Sequence, residues 1–335
     1  MAITIKDIAK DTNLSLATIS KYLNGKNISS KNRQLVEESI RRLGYIPSKT
    51  AQLLRARKGN TICVLAPSFG DYYWSSIFRH IEEYFRSFGY STIILSYDTY
   101  SRTSHNALNL LISSHTSGVI LIPFMEKRNN IHHLLADANI PFVCLDQQLD
   151  DVHADTVTSD NYQSAYDATM HFTSHGHRKI YALAGEDISY TSKERLHGFY
   201  NACKDSGLRD SDYSHITNIR SIPSTAKDFC HRLTQEEPPT ALLSLGYDIT
   251  ITFLSHFSDT NLSIPTDVSL ISFDDDIIFS AYPAPITVVT QDLINLAKKA
   301  AYLLHERIKE NDTLPIQSIH LPTKMIERKS VASIR

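Results

Sequence analysis

From Thr61 onward the chain repeats one texture: a short apolar, β-rich run, then an amphipathic segment of a dozen or so residues. The runs include "TICVLAP", "STIILSYD", "GVILIPF" and "PFVCLD", and the rhythm returns in "KIYALAG", "TALLSLG", "VSLISFD" and "ITVVTQD". Such runs alternating with helices indicate βαβ units whose strands lie buried in parallel sheets. Some ten strand candidates overfill one comfortable sheet, so the pattern predicts two doubly wound lobes. A chain of 335 residues is also long enough to divide. Open α/β sheets bind ligands beyond the carboxyl ends of their strands, which places a small molecule between the lobes.

The head of the chain differs in charge and period. Residues 1–58 hold twelve Lys or Arg against four Asp or Glu, whereas the remainder holds 22 against 32. A basic head on an acidic body suggests a polyanion partner for the head alone. Its first 45 residues read as three short helices. Thr4 can cap the first, with Asp7 three residues on, and Ile5, Ile8 and Ala9 share a face. "DTNLS" breaks the pattern, and Ser15 can cap a second helix from about Leu16 to Leu23, ended by Asn24-Gly25. Ser29 or Ser30 opens a third, with Val36, Ile40 and Leu43 at helical spacing up to Gly44. Three helices with a short break between the first two form a helix-turn-helix pattern. In the linker, residues 45–60, Pro47 stops the third helix and Ser48 could cap a brief new one across Lys49–Arg57. Such a helix is too short to stand alone in water.

Enzyme motifs are absent: there is no Gly-x-Ser-x-Gly, Gly-x-Gly-x-x-Gly, Walker loop or His-Glu-x-x-His. Cys63, Cys144, Cys203 and Cys230 are widely spaced and form no Cys-x-x-Cys pair, usage that fits a reducing compartment. No apolar run approaches the roughly 18–20 residues of a membrane span. The N-terminus lacks a signal-peptide core, so a cytoplasmic location without membrane contact is expected.

At this point the sequence resembles the LacI/GalR family of bacterial transcription regulators over essentially its whole length. The head "TIKDIAKDTNLSLATISKYLNGKNISSKNRQLVEESIRRLGYIPS" is similar to the family's DNA-binding signature. "SHGHRKIYALAG", "ERLHGF", "IPTDVSLISFDD" and "MIERKSV" follow in the family's order. The resemblance implies an all-α helix-turn-helix head at 1–46, a hinge helix at 47–59 and a core at 60–335. That core is α/β, two-lobed and periplasmic-binding-protein-like, with two doubly wound parallel sheets. The N-lobe is expected at about 60–160 and 291–320, and the C-lobe at about 161–290 and 321–335.

By the same resemblance, the helix beginning at Leu16 reads the major groove. Ser15, Thr18, Ser20 and Asn24 carry polar groups suited to phosphates or base edges. Leu16 and Ala17 can touch thymine methyls but cannot hydrogen-bond a base. Lys21 stands where many members carry Arg and lacks the bidentate fork that suits guanine. Tyr22 could either pack inward or touch a phosphate. Thr4, Ser29 and Tyr45 are further expected contacts. In the hinge, Ser48, Ala51, Leu54 and Arg55 are implied to meet the minor groove, with Leu54 as the wedge that kinks the duplex. Two symmetric half-sites on a double-stranded operator imply a homodimer.

For the core, the resemblance implies a small-molecule effector between the lobes and no cofactor or metal. Tyr73 and Trp74 in "DYYWSS" are the aromatic candidates. Arg195 and Asp274 match residues that hold effector oxygens, while Asp146 and Thr191 align less tightly. Asp160 reads better as a helix cap. His171, His175 and His177 are spaced like metal ligands, but "GHR" is a family turn motif. Where many members have Asn-Asp, this chain has "LGYD", so Tyr247 replaces a frequent sugar ligand. A repressor controlled by a sugar or sugar derivative is expected. The alternative is control by a nucleobase or a protein partner.

Overall fold

The computed structural model describes residues 5–23, 27–43, 59–66, 72–96, 109–111, 113–123, 131–149, 154–185, 189–219, 222–310 and 314–334. The chain forms two compact units, Met1–Asn60 and Thr61–Arg335. Thr4, Asn24, Tyr45, Ser48, Ala51, Leu54 and Arg55, with the hinge they define, lie outside the described residues.

In the first unit, α1 (Ile5–Thr12), α2 (Leu16–Leu23) and α3 (Ser30–Leu43) close on Ile8, Ile19 and Val36, all fully buried. Ile5, Ala9, Leu14, Tyr22, Ile40 and Leu43 pack around them, as the helical spacing predicts. The break between α1 and α2 is shorter than the sequence pattern suggests. Thr12 donates its hydroxyl to Ile8 O at 2.7 Å and extends α1. Asn13 then takes φ 53°, a left-handed turn that Asn tolerates better than most residues. Asp11 ties α1 to α3 by accepting from Ser39 Oγ at 2.5 Å and Arg42 Nη2 at 2.6 Å.

The second unit holds two six-stranded sheets. In the first, β1 (Thr61–Ala66), β2 (Ser91–Ser96), β3 (Thr116–Leu121), β4 (Phe142–Leu145), β5 (Asp155–Ser159) and β11 (Ser318–Leu321) run in the order β11-β5-β4-β3-β1-β2, all parallel. The helices α4 (Tyr72–Ser87) and α11 (Leu293–Glu310) cover one face around Ile77, Ile81, Phe85, Leu296 and Leu304. The other face packs α5 (Ile131–Asp137) through Ile131 and Leu135.

In the second sheet, β6 (Ile180–Leu183), β7 (Tyr213–Ile216), β8 (Ala241–Ser244), β9 (Ser269–Phe273), β10 (Thr287–Thr290) and β12 (Lys324–Ile326) run in the order β12-β10-β9-β8-β6-β7. One face carries α6 (Asn161–Ser174) and α7 (Tyr190–Asp205), the other α8 (Pro223–Arg232), α9 (Tyr247–Phe257) and the short α10 (Ile277–Ala281). The edge strand β12 is antiparallel to β10, a departure from the all-parallel expectation. It enters the sheet only two residues after β11 leaves the first one, so no crossover helix can turn it.

The quoted apolar runs become β1–β4, β6 and β8–β10. The motifs do not mark β5, "DTVTS", which is buried at every position although mostly polar. Tertiary partners satisfy it. Arg307 of α11 grips Asp155 with two bonds, Nε to Oδ2 at 2.8 Å and Nη2 to Oδ1 at 2.9 Å, and Gln317 N donates to Asp155 Oδ1 at 2.8 Å. The chain thus passes between the lobes three times, after β5, β10 and β11. Among the described residues, no helix is long and apolar enough to cross a membrane.

Candidate functional site

On the head, the structure sorts α2 into an inner and an outer face. Ile19 is buried, and Tyr22 packs inward with its hydroxyl donating to Glu37 Oε1 at 3.2 Å, which resolves the open choice for that residue toward packing. Burial and Glu37 together push the Tyr22 phenol above its ordinary value. Ser15 caps the helix: Thr18 N donates to Ser15 Oγ at 3.1 Å, and the two hydroxyls lie 2.9 Å apart. Outward stand Leu16, 45 % exposed, with Ala17 and Lys21 also exposed and Thr18 and Ser20 half-buried. Ser29 caps α3 through Asn32 N at 3.4 Å. A short helix with two apolar residues and one cation on its free face can enter a groove edge-on and touch thymine methyls.

In the core, the candidates gather where the carboxyl ends of the two sheets meet. Asp146 directly follows β4, and Asp274 directly follows β9. Tyr73, in the first turn of α4, donates its hydroxyl to Asp146 Oδ1 at 2.8 Å. Arg195 projects from α7 and is only 6 % exposed. Its Nε donates to Asn161 Oδ1 at 2.8 Å, its Nη1 donates to Leu245 O at 2.6 Å, and its guanidinium carbon lies 4.1 Å from the centre of the Phe273 ring. Thr191, in the first turn of α7, is buried beside it.

Two glutamines join these groups across the seam. Gln147 Nε2 donates to Thr191 Oγ1 at 2.9 Å, while its Oε1 accepts from Tyr190 N at 2.9 Å. A side chain from the first sheet therefore holds the start of a helix belonging to the second. Gln291, at the crossing after β10, donates Nε2 to Asp274 Oδ1 at 2.6 Å. Its Oε1 accepts from Ser159 Oγ at 2.5 Å and from Tyr73 Oη at 3.4 Å. The motif comparison missed Gln147, Ser159, Asn161 and Gln291. Adjacency to Asp146 and to strand ends was the available signal, and amides have no spacing of their own.

The electrostatics follow from this enclosure. Burial pushes the Asp274 carboxyl up to about 6, against the pull of Arg195 and the Gln291 bond, with Asp146 and Asp248 adding repulsion. Burial likewise raises Asp146, opposed by Arg195 and by hydrogen bonds from Tyr73 and Gln147. The Tyr73 phenol is pushed well above its ordinary value by burial and then by the two carboxylates.

Two further aromatic candidates make ring contacts of their own. Trp74 is half-buried, edge-on to Tyr73 with ring centres 4.7 Å apart and stacked toward Phe78 at 6.1 Å. Tyr247 opens α9 and packs toward Phe279 at 5.5 Å. Asp160 caps α6 by accepting from Gln163 N at 3.1 Å. His177 is a buried turn residue whose ring nitrogens meet Thr240 Oγ1 at 2.9 Å and Ala332 O at 3.0 Å. Among the described residues, no group of three His, Cys, Asp or Glu could hold a metal ion.

Comparison with known proteins agrees with both halves. Residues 4–48 match the model of bacterial regulatory proteins of the lacI family, and residues 169–331 match a periplasmic binding protein-like domain. The chain belongs to the LacI family. Relatives span its whole length. The HTH-type transcriptional repressor PurR of Actinobacillus pleuropneumoniae serotype 3 (strain JL03) is 28% identical over 333 residues, 99% of each chain. That of Pasteurella multocida (strain Pm70) is 27% identical over 331 residues, 98% of this chain and 99% of the relative. Among solved structures, the lac repressor dimer bound to operator and the anti-inducer ONPF has a TM-score of 0.85 at 21% identity, covering 99% of this chain and 100% of the other. The transcriptional regulator CelR–cellobiose complex has a TM-score of 0.73 at 21% identity, covering 98% and 99%. The chain is a DNA-binding transcription regulator of this family.

Proposed function

We propose that the protein is a homodimeric repressor that binds a near-palindromic operator and is controlled by a sugar or sugar derivative held between the two core lobes. The observation that carries the effector reading is the seam itself. Asp146, Asp274 and Arg195 converge with Tyr73 and Thr191, and Gln147 and Gln291 bridge the sheets. Carboxylates accept from hydroxyls, and amides and guanidinium donate to them, so the set suits a diol-rich molecule. The relative named a repressor supports the direction of regulation, and the fold shared with a dimeric repressor on operator supports the assembly. Two copies place two α2 helices on successive half-sites.

Coupling requires only that the ligand prefer one relative setting of the lobes. Whatever it gains there biases whether the two hinge segments can pair on DNA. Fluorescence anisotropy on the protein's own promoter fragment, with and without a panel of sugars, sugar phosphates and nucleobases, tests this reading. No ligand-dependent change in DNA affinity anywhere in the panel would sink it. Leu54→Ala tests the hinge: specific binding is expected to fall far more than non-specific binding, and equal losses would overturn the assignment.

A second reading, control by a nucleobase, is favoured by the Trp74 ring beside Tyr73, since a flat aromatic surface suits a base. The same panel separates the two.

A further inference from the structure

The motifs "IPTDVSLISFDD" and "MIERKSV" are far apart in the chain and meet in the fold. Three consecutive aspartates follow β9, and each has its own partner. Asp274 accepts from Gln291 Nε2 at 2.6 Å in the seam. Asp275 accepts from Arg328 twice, Nη1 to Oδ1 at 2.9 Å and Nη2 to Oδ2 at 2.7 Å. Asp276 caps α10 by accepting from Ile278 N at 2.9 Å. Arg328 itself is half-buried, two residues beyond β12.

Asp274 needs holding. Its backbone is left-handed, φ 66°, a conformation that persists in a residue with a side chain only where its neighbours enforce it. Upstream, β9 lies between β8 and β10, and Asp274 N donates to Val289 O at 2.9 Å. Downstream, the tie is Arg328. Besides gripping Asp275, its Nη1 donates to Ile286 O at 2.9 Å and its backbone N to Thr287 Oγ1 at 3.0 Å. One residue thus joins the turn that carries Asp274 to the start of β10, the strand that ends just before Gln291. Both partners of the Asp274–Gln291 bond sit on elements that Arg328 fastens. A planar guanidinium on both carboxylate oxygens fixes direction as well as distance, which a lysine ammonium does not.

We propose that Arg328 is a positioning residue for the ligand site. Through Asp275 it holds the turn after β9 and so aims the Asp274 carboxylate at Gln291 and at the ligand. This rests on the reading of the seam as a small-molecule site and adds a residue that acts there through another.

The side-chain amide of Gln291 reports the bond directly and requires no ligand. NMR spectra of full-length protein labelled with 15N-glutamine are compared for wild type, Arg328→Met, Arg328→Lys and Asp275→Asn. The control is Phe257→Leu, which weakens the core of the same lobe. Arg328→Met and Asp275→Asn are expected to move the Gln291 amide protons upfield and to speed their exchange with water at least about threefold. Arg328→Lys should fall between them and wild type, and Phe257→Leu should leave the signal in place while lowering stability. If Arg328→Met does not fold, Asp275→Asn decides, since it keeps the arginine but offers one oxygen where Arg328 grips two.

Calorimetry with ribose, glucose, cellobiose, their phosphates, adenine and guanine gives the second readout. A compound that binds wild type is expected to bind Arg328→Met and Asp275→Asn at least about fivefold more weakly, and Phe257→Leu as before. An unchanged Gln291 signal in the folded variants overturns the inference and leaves the small-molecule reading intact. So does an equal change in Phe257→Leu, or a moved signal with undiminished ligand affinity. No binding of any compound to wild type overturns the small-molecule reading, and this inference with it.

Discussion

Asp146 and Asp274 hold equivalent places in the two lobes. Each is the first residue after a strand, and each takes a left-handed backbone, φ 67° and 66°. Side-chain-bearing residues seldom adopt that region, and Asp is among those that tolerate it best. The paired turns deliver one carboxylate from each sheet into the field of Arg195. A matched pair of unfavourable turns at one seam is what a site built from both lobes requires.

Asp274 should make stability depend on pH in an uncommon direction. Its folded carboxyl sits at about 6, above the ordinary 3.8, so between these values the folded state holds a proton that the unfolded chain has released. Stability therefore falls as pH rises from about 4 to about 6 and stays reduced above, by on the order of 2–3 kcal/mol for this group. Asp274→Asn removes the titration and keeps an acceptor for Gln291. Urea denaturation should find the variant more stable than wild type at about pH 7.5 and close to it at about pH 4. A gap that ignores pH would refute the assignment.

Arg195 anchors the seam as well as facing it. Arg195→Ala strips the donors from Asn161 Oδ1 and Leu245 O and removes the positive charge that acts on Asp146 and Asp274. A loss of about 2–4 kcal/mol in unfolding free energy is expected, together with loss of effector affinity. Lys reaches one acceptor at a time, so Arg195→Lys should recover only part of either. A variant with wild-type denaturation midpoint would show that the buried bonds contribute little.

Much of this organisation is legible in the chain because it is repetitive or local. Apolar runs such as "TICVLAP", alternating with amphipathic segments, read as buried strands, and Ile8, Ile19 and Val36 meet because each lies on a helical stripe. Gly176 closes the "GHR" turn at φ 89°. What escapes is the part defined by tertiary encounter. "DTVTS" is an inner strand whose buried Asp155 is gripped by Arg307, 152 residues away, a partner that no local pattern announces. Gln147 and Gln291 have no pattern that marks them, since their partners come from the other lobe. Tyr73, next to the chain's one tryptophan, carries a contact that no sequence pattern marks, its hydroxyl on Asp146.

Gly198 sets how closely the helix bearing Thr191 and Arg195 approaches α6. A Cβ at that position would fall 2.1 Å from Tyr162 O and 3.0 Å from Tyr166 N, both backbone atoms that cannot swing aside. Gly198→Ala must push the helices apart, which disturbs the Arg195–Asn161 bond along with the packing. Destabilisation of about 2–3 kcal/mol and weaker effector binding are expected. Wild-type stability would mean that α6 shifts at little cost.

Gln147 links the lobes through two bonds to the start of α7. Gln147→Ala should reduce stability by about 1–2 kcal/mol and speed amide exchange in residues 190–193 more than elsewhere in α7. Uniform exchange along the helix would show that the contact does not restrain the seam.

On the head, Lys21 and Leu16 are both exposed on α2 but should contribute differently to binding. A lysine near the duplex acts through charge on phosphates, which every sequence has. Lys21→Ala should weaken operator and random DNA by the same factor and reduce the slope of log affinity against log salt by about 0.9. Leu16 has no charge and can act only through apolar contact with a base edge. Leu16→Ala should leave that slope and the affinity for random DNA unchanged while costing about 1 kcal/mol or more on the operator. Anisotropy titrations on both DNAs across a range of salt separate the two residues. If Lys21→Ala affects only the operator, the lysine reads a base rather than the backbone, and the division of labour on this helix is reversed.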